Sequence, residues 1–239
     1  MPTHIVRSFD EELQYLTQRI GEMGGYAERM VERSVDAIIR DDLMLADEVV
    51  AEDRILDEAE REIDERAVTI IAKRQPMAID LREVVGAIRI AADLERVGDM
   101  AKNIGKRAAA ISENRQPTSF YRGLENFASL AVNQLKEVLD AYSMRSLERI
   151  DIVRKKDEEL DAIYTSLFRE LLTYMMEDPR NITACTHLLF CAKNIERIGD
   201  HATNIAETVH YIISGNYPTN ERHREDLTHT LVTEELEQK

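Results

Sequence analysis

Glu95-Arg96-Val97-Gly98-Asp99-Met100-Ala101-Lys102-Asn103-Ile104 returns 101 positions later (196 − 95) as Glu196-Arg197-Ile198-Gly199-Asp200-His201-Ala202-Thr203-Asn204-Ile205. Glu, Arg, Gly, Asp, Ala, Asn and Ile keep their register across nearly half the chain. Such self-similarity marks one structural unit used twice. Each copy carries Glu-x-x-x-Asp-x-x-x-Asn, a polar stripe at helical spacing.

Around the repeat the composition is that of an all-α chain. The 239 residues include nine Gly, five Pro and no Trp, and the 44% that are apolar suffice for a core. Breakers partition the sequence into six long helices, at about 8–40, 42–74, 80–113, 120–142, 146–177 and 179–214. Ser8 is the expected N-cap of the first helix, and Gln75-Pro76 stops the second. Pro179 suits the first turn of the sixth, with Asp178 as its cap. The reading is two tandem three-helix bundles related by a pseudo-twofold internal repeat. The first is 1–113, then a polar linker at 114–119, the second bundle at 120–215 and a polar tail at 216–239. Within that tail only 225–238 carries a helical pattern, that of a short frayed helix.

Charge narrows the function. With 31 basic and 46 acidic residues the net charge is −15, which argues against nucleic acid, whose phosphates demand a basic footprint. There is no polybasic run to attract anionic lipid. The start lacks a signal-like apolar region and no run approaches about 18 apolar residues, so a soluble cytoplasmic protein is expected. Cys185 and Cys191 point to different helix faces, as core residues and neither a disulfide nor a metal pair. His4, His187, His210, His223 and His229 share no site-forming spacing, and the nine Met read as core filler.

The acids are placed differently from most surface charge. In the third helix Glu95, Asp99 and Asn103 continue the stripe of Leu81, Val84, Ile88, Ala91 and Ala92. In the second, Asp53, Asp57, Glu60 and Asp64 lie between apolar Val49-Val50 and Ala67, Val68 and Ile71. The sixth helix repeats the pattern with Glu196, Asp200 and Asn204, and the fifth with Asp157 and Asp161. Tyr164 and Phe168 stand there in place of Glu60 and Asp64, making the second half less acidic. Counted from Pro76, Asp57 and Glu95 are equidistant, as are Asp53 and Asp99, so antiparallel helices bring them to matching heights. Around Pro179 the same holds, within a residue, for Asp161 with Glu196 and Asp157 with Asp200.

Clustered like charges must be protonated, paired or bound to a cation. Asp53, Asp57, Glu95, Asp99, Asp157, Asp161, Glu196 and Asp200 are therefore candidate metal ligands, with hard oxygen donors suited to iron, Mg²⁺, Mn²⁺ or Ca²⁺. The competing reading is a wet groove in which Arg96, Lys102, Lys106, Lys193 and Arg197 neutralise the acids. Gly98 and Gly199 flank the stripe, leaving room for a neighbouring helix or an ion's water shell.

The paired Glu-Arg-Val/Ile-Gly-Asp segments, Ile70-Ile71-Ala72-Lys73-Arg74-Gln75-Pro76 and Met23-Gly24-Gly25 together resemble the PhoU family over about residues 4–215. The resemblance implies two pseudo-symmetric three-helix bundles, often as a homodimer. It implies a negative regulator of the phosphate regulon, peripheral to the inner membrane through its protein partners. Those partners would be the ATPase subunit of the phosphate ABC transporter and a sensor histidine kinase, to which phosphate sufficiency is relayed. It also implies metal clusters on the Glu/Asp-x-x-x-Asp motifs, here Asp53/Asp57, Glu95/Asp99, Asp157/Asp161 and Glu196/Asp200.

The sequence holds no nucleophile–base pair, phosphate loop or dinucleotide fingerprint, which favours a non-enzymatic adaptor. The alternative is a carboxylate-bridged multinuclear metalloprotein with storage or oxidase activity. Against it, the Glu-x-x-His of di-iron bundles is missing, since Gly98 and Gly199 stand three residues after Glu95 and Glu196.

Overall fold

The computed structural model describes the backbone of residues 2–117 and 119–218, and the expected helix at 225–238 lies outside them. All regular structure among the described residues is helical. The long helices are α1 (Pro2–Arg40), α2 (Leu43–Arg74), α3 (Ile79–Gly105), α5 (Ser119–Met144), α6 (Leu147–Glu177) and α7 (Ile182–Ser214), with a short α4 (Ala108–Ser112). One bundle is α1–α3 and the other α5–α7, as the breakers indicated.

Local chemistry sets the turns. The Asp42 carboxylate accepts from the Leu45 N–H to start α2, and the Ser146 hydroxyl accepts from the Arg149 N–H to start α6. Each cap follows a residue of positive φ, Asp41 at 61° and Arg145 at 52°. The same tight turn is thus built twice, 104 positions apart (146 − 42). At the far end of α2, Gln75 adopts the left-handed conformation (φ 49°) and its N–H closes on the Ile71 carbonyl before Pro76.

The bundles join through α1 against α5 and α3 against α7. Gly86 sits beside Ile212, Asp93 beside His201 and Arg107 beside His187, so α3 and α7 run antiparallel and the α2–α3 and α6–α7 turns face opposite ends. Glycine permits the closest approaches. A Cβ on Gly86 would lie 2.4 Å from Ile212 Cδ1, and one on Gly24 would lie 2.4 Å from Leu139 Cδ1.

Several expectations change. Helix three does not run to Glu113. It ends at Gly105, where a Cβ would approach the Ala46 carbonyl to 3.3 Å, and the chain restarts as α4. Arg107, between the two, lies over the Phe190 ring at 4.2 Å and directs Nη1 at His187 Nδ1 (3.3 Å). Pro179–Asn181 form a separate 3₁₀ turn ahead of α7, although Asp178 does cap it through the Arg180 N–H. Ser8 is inside α1 and no cap; its hydroxyl accepts from Arg74 Nη2 at 2.6 Å. The methionines are only partly core filler. Met23, Met30 and Met100 are buried, while Met44, Met77, Met144 and Met176 stand exposed near turns. Cys185 and Cys191 are buried and free. No helix among the described residues is long and apolar enough to cross a membrane.

Candidate functional site: two carboxylate grooves

The buried stripe of α2 is Val49, Asp53, Leu56, Ala59, Ile63, Ala67 and Ile70. Asp57, Glu60 and Asp64 therefore fall one notch round, half-buried on its shoulder, and Val68 is exposed. On α3 the core takes Val84, Ala87, Ile90, Ala91, Leu94, Val97, Ala101 and Ile104, leaving Glu95, Asp99 and Asn103 half-buried beside it. The acids line the groove between the helices. Gly98 lets the helices close: its Cβ would sit 2.3 Å from Leu56 Cδ1. The space serves a neighbouring helix.

In this first groove the height matching of Asp53 with Asp99 is realised through a lysine. Lys102 Nζ donates to Asp53 Oδ2 (2.5 Å) and Asp99 Oδ1 (2.7 Å). Burial opposes the ammonium, but the hydrogen bonds it donates to both carboxylates overcome this and hold its pKa well above the ordinary lysine value. Further along the groove, toward the α2–α3 turn, the acids repel one another. Burial pushes the Glu95 carboxyl up, Asp99, Glu60 and Asp57 add to the rise, and Arg96 opposes it. Glu60 is raised by burial, then by Asp64 and Asp57, again against Arg96. Asp64 Oδ1 is buried without a hydrogen-bond partner.

The second groove is built of other materials. Gln134 Nε2 donates to Asp157 Oδ1 (3.3 Å), the Val153 carbonyl (3.3 Å) and Thr203 Oγ1 (3.2 Å). Thr203 occupies the position of Lys102 in the repeat (203 − 102 = 101). Buried Glu196 pairs with Lys193 Nζ at 3.0 Å, and that ammonium also lies 5.1 Å over the Tyr164 ring. Tyr164 packs against Phe127 and Phe168, so the aromatic substitutions fill space that acids occupy in the first groove. Asp161 and Asp200 are half-buried on α6 and α7. His201 does not turn to these acids; its Nδ1 meets Asp93 Oδ1 of the other bundle at 2.9 Å. The internal glutamine and the Asp93–His201 contact escape sequence reasoning, because both require knowing how the bundles dock.

Among the described residues no three His, Cys, Asp or Glu side chains are gathered so as to hold a metal ion. The donors are chemically right for a hard cation, but as placed they do not fit one. In the first groove the Lys102 ammonium already occupies the space between Asp53 and Asp99.

A family model described as "PhoU domain" matches the chain twice, over residues 20–108 and 124–209. The chain is 64% identical over 228 residues to a "Phosphate-specific transport system accessory protein PhoU homolog" of Rhizobium meliloti, covering 95% of this chain and 96% of that protein. A protein of the same description from Caulobacter vibrioides is 51% identical, covering 95% and 99%. The fold superimposes on the crystal structure of PhoU from Pseudomonas aeruginosa with a TM-score of 0.83 at 37% identity, covering 87% of this chain and all of that one. A PhoU crystal structure from Streptococcus pneumoniae gives 0.82 at 25% identity, covering 89% of this chain and all of that one.

Proposed function

The chain belongs to the PhoU family, and from that premise we propose that it is an accessory regulator of a phosphate-specific transport system. The observation that carries this is a likeness over 95% of the chain to proteins described in those words. In this reading it is a cytoplasmic, non-enzymatic adaptor and a negative regulator of the phosphate regulon. It relays phosphate sufficiency from the transporter's ATPase subunit to a sensor histidine kinase, and acts as a homodimer. The net charge of −15 supports docking on basic partner surfaces, where complementarity sets partner choice more than affinity. The thiols offer no nucleophile: burial raises the pKa of Cys185 and pushes that of Cys191 up to about 12, so neither is poised to react.

Cation capture by Asp53, Asp57, Glu95, Asp99, Asp157, Asp161, Glu196 and Asp200 is the finer part of the proposal. It is supported by the oxygen-only donor set and by the burial, with mutual repulsion added, that raises Glu60 and Glu95. It requires side-chain rotamers other than those described. The alternative of metal storage or oxidase chemistry gains nothing from the grooves. The regulator reading is tested by deleting the gene in its host and following a phosphate-regulon reporter in phosphate-rich medium. Constitutive expression is expected, and a reporter that stays silent refutes it.

A further inference from the structure

We infer that Lys102 is a tethered counter-ion that holds the first groove closed to metal. The inference rests on the cation reading of the carboxylates and goes beyond it, by assigning one residue that decides when the first repeat can bind.

The ammonium spans two helices, joining Asp53 of α2 to Asp99 of α3, two of the candidate ligands of the first repeat. A lysine head and a divalent cation cannot share that space, because both are positive and each needs the same oxygens. Lys102 is itself three residues from Asp99, so its hold is intramolecular and independent of solution concentration. The side chain is 22% exposed, leaving the four-carbon stem a route by which the head can swing into solvent. The repeat supplies an internal contrast. In the second groove the position equivalent to Lys102 is Thr203, and the acid equivalent to Asp53, Asp157, receives the amide of Gln134, which also reaches Thr203. Each groove thus carries a lysine on its acids, but only in the first is one ammonium seen to span both helices, from Asp53 of α2 to Asp99 of α3; in the second, Lys193 pairs with Glu196 three residues along its own helix.

The test measures Mn²⁺ uptake by the full chain, as wild type, Lys102→Gln, Lys102→Arg and Lys102→Gln/Asp99→Asn, using equilibrium dialysis with elemental analysis and the Mn²⁺ paramagnetic signal. Lys102→Gln is expected to gain one bound Mn²⁺ per chain or to bind about ten-fold tighter. Lys102→Arg keeps the charge and gains nothing, and Asp99→Asn cancels the gain. Thermal unfolding without metal supplies the independent arm. Lys102→Gln melts below wild type, and adding Asp53→Asn recovers much of the loss. Equal Mn²⁺ uptake by wild type and Lys102→Gln overturns the exclusion while leaving the cation reading intact. Absence of uptake by every variant overturns both. An unchanged metal-free melting temperature in Lys102→Gln overturns the counter-ion role itself.

Discussion

Glu95→Gln removes one charge from the first groove with little change of shape. The side chain is 16% exposed, and its carboxyl is raised by burial first, then by Asp99 one turn along and by Glu60 and Asp57 across the groove. A raised folded pKa means that the protonated form favours folding. The ionised carboxylate therefore costs stability at neutral pH. That cost disappears as pH falls through the raised folded value to the ordinary one of 4.5. A like-charge neighbour one helical turn away costs a few tenths of a kcal/mol, and the cross-helix neighbours cost a similar amount. The opposing Arg96 contact is long, at 3.4 Å, and 59% exposed, so it returns only a small part. The net gain from Glu95→Gln is about 0.5–1 kcal/mol at pH 8, or roughly 1–4 °C in Tm for a chain of this size. Urea and thermal unfolding followed by circular dichroism at pH 8, 6.5 and 4 read the effect. Low protein concentration is needed because the isoelectric point is near 4.9. The variant should be more stable than wild type at pH 8 and level with it at pH 4. A variant less stable at pH 8 refutes the reasoning, since it would mean that Glu95 is held by a partner stronger than its repulsions.

Gly86→Val should cost about 1–3 kcal/mol by driving a side chain into Ile212, whereas Gly21→Ala, with nothing within 4 Å, should stabilise by up to about 1 kcal/mol; thermal melts decide both. Asp42→Ala and Ser146→Ala each remove the cap of an interior helix and should cost about 1 kcal/mol, measured by urea titration. Cys191, its thiol pushed up to about 12 by burial, should resist iodoacetamide at pH 8 in the native protein and react once urea unfolds it, as mass spectrometry would show. Asp93→Ala removes the acceptor of His201 Nδ1 between the bundles and should lower stability by about 1 kcal/mol, with a smaller loss for Asp93→Asn.

The repeat was legible because it is a matter of spacing. A 101-residue offset and breakers at Pro76 and Pro179 were enough to place the bundles and to bring Asp53 level with Asp99. Helical phase was read less well, since a stripe of mixed acids and aliphatics has no sharp centre. Leu56 and Ile63 take the core with Asp53, while Asp57, Glu60 and Asp64 settle on its shoulder. The break at Gly105 was hidden because its neighbours are good helix formers; the closeness there of the Ala46 carbonyl, 3.3 Å from where a Cβ would stand, appears only once the helices are packed. Gln134 and the Asp93–His201 contact depend on how one bundle meets the other, which no periodicity records. Lys102 stands among several bases able to neutralise the acids, and only the packing of α2 on α3 selects it.

The opposed turns give the molecule two poles. One carries Met77, 80% exposed, and the other Met176, 75% exposed. The 27 residues of α3 alone set these poles about 40 Å apart. A surface that covers one of these tips therefore leaves the other open to solvent.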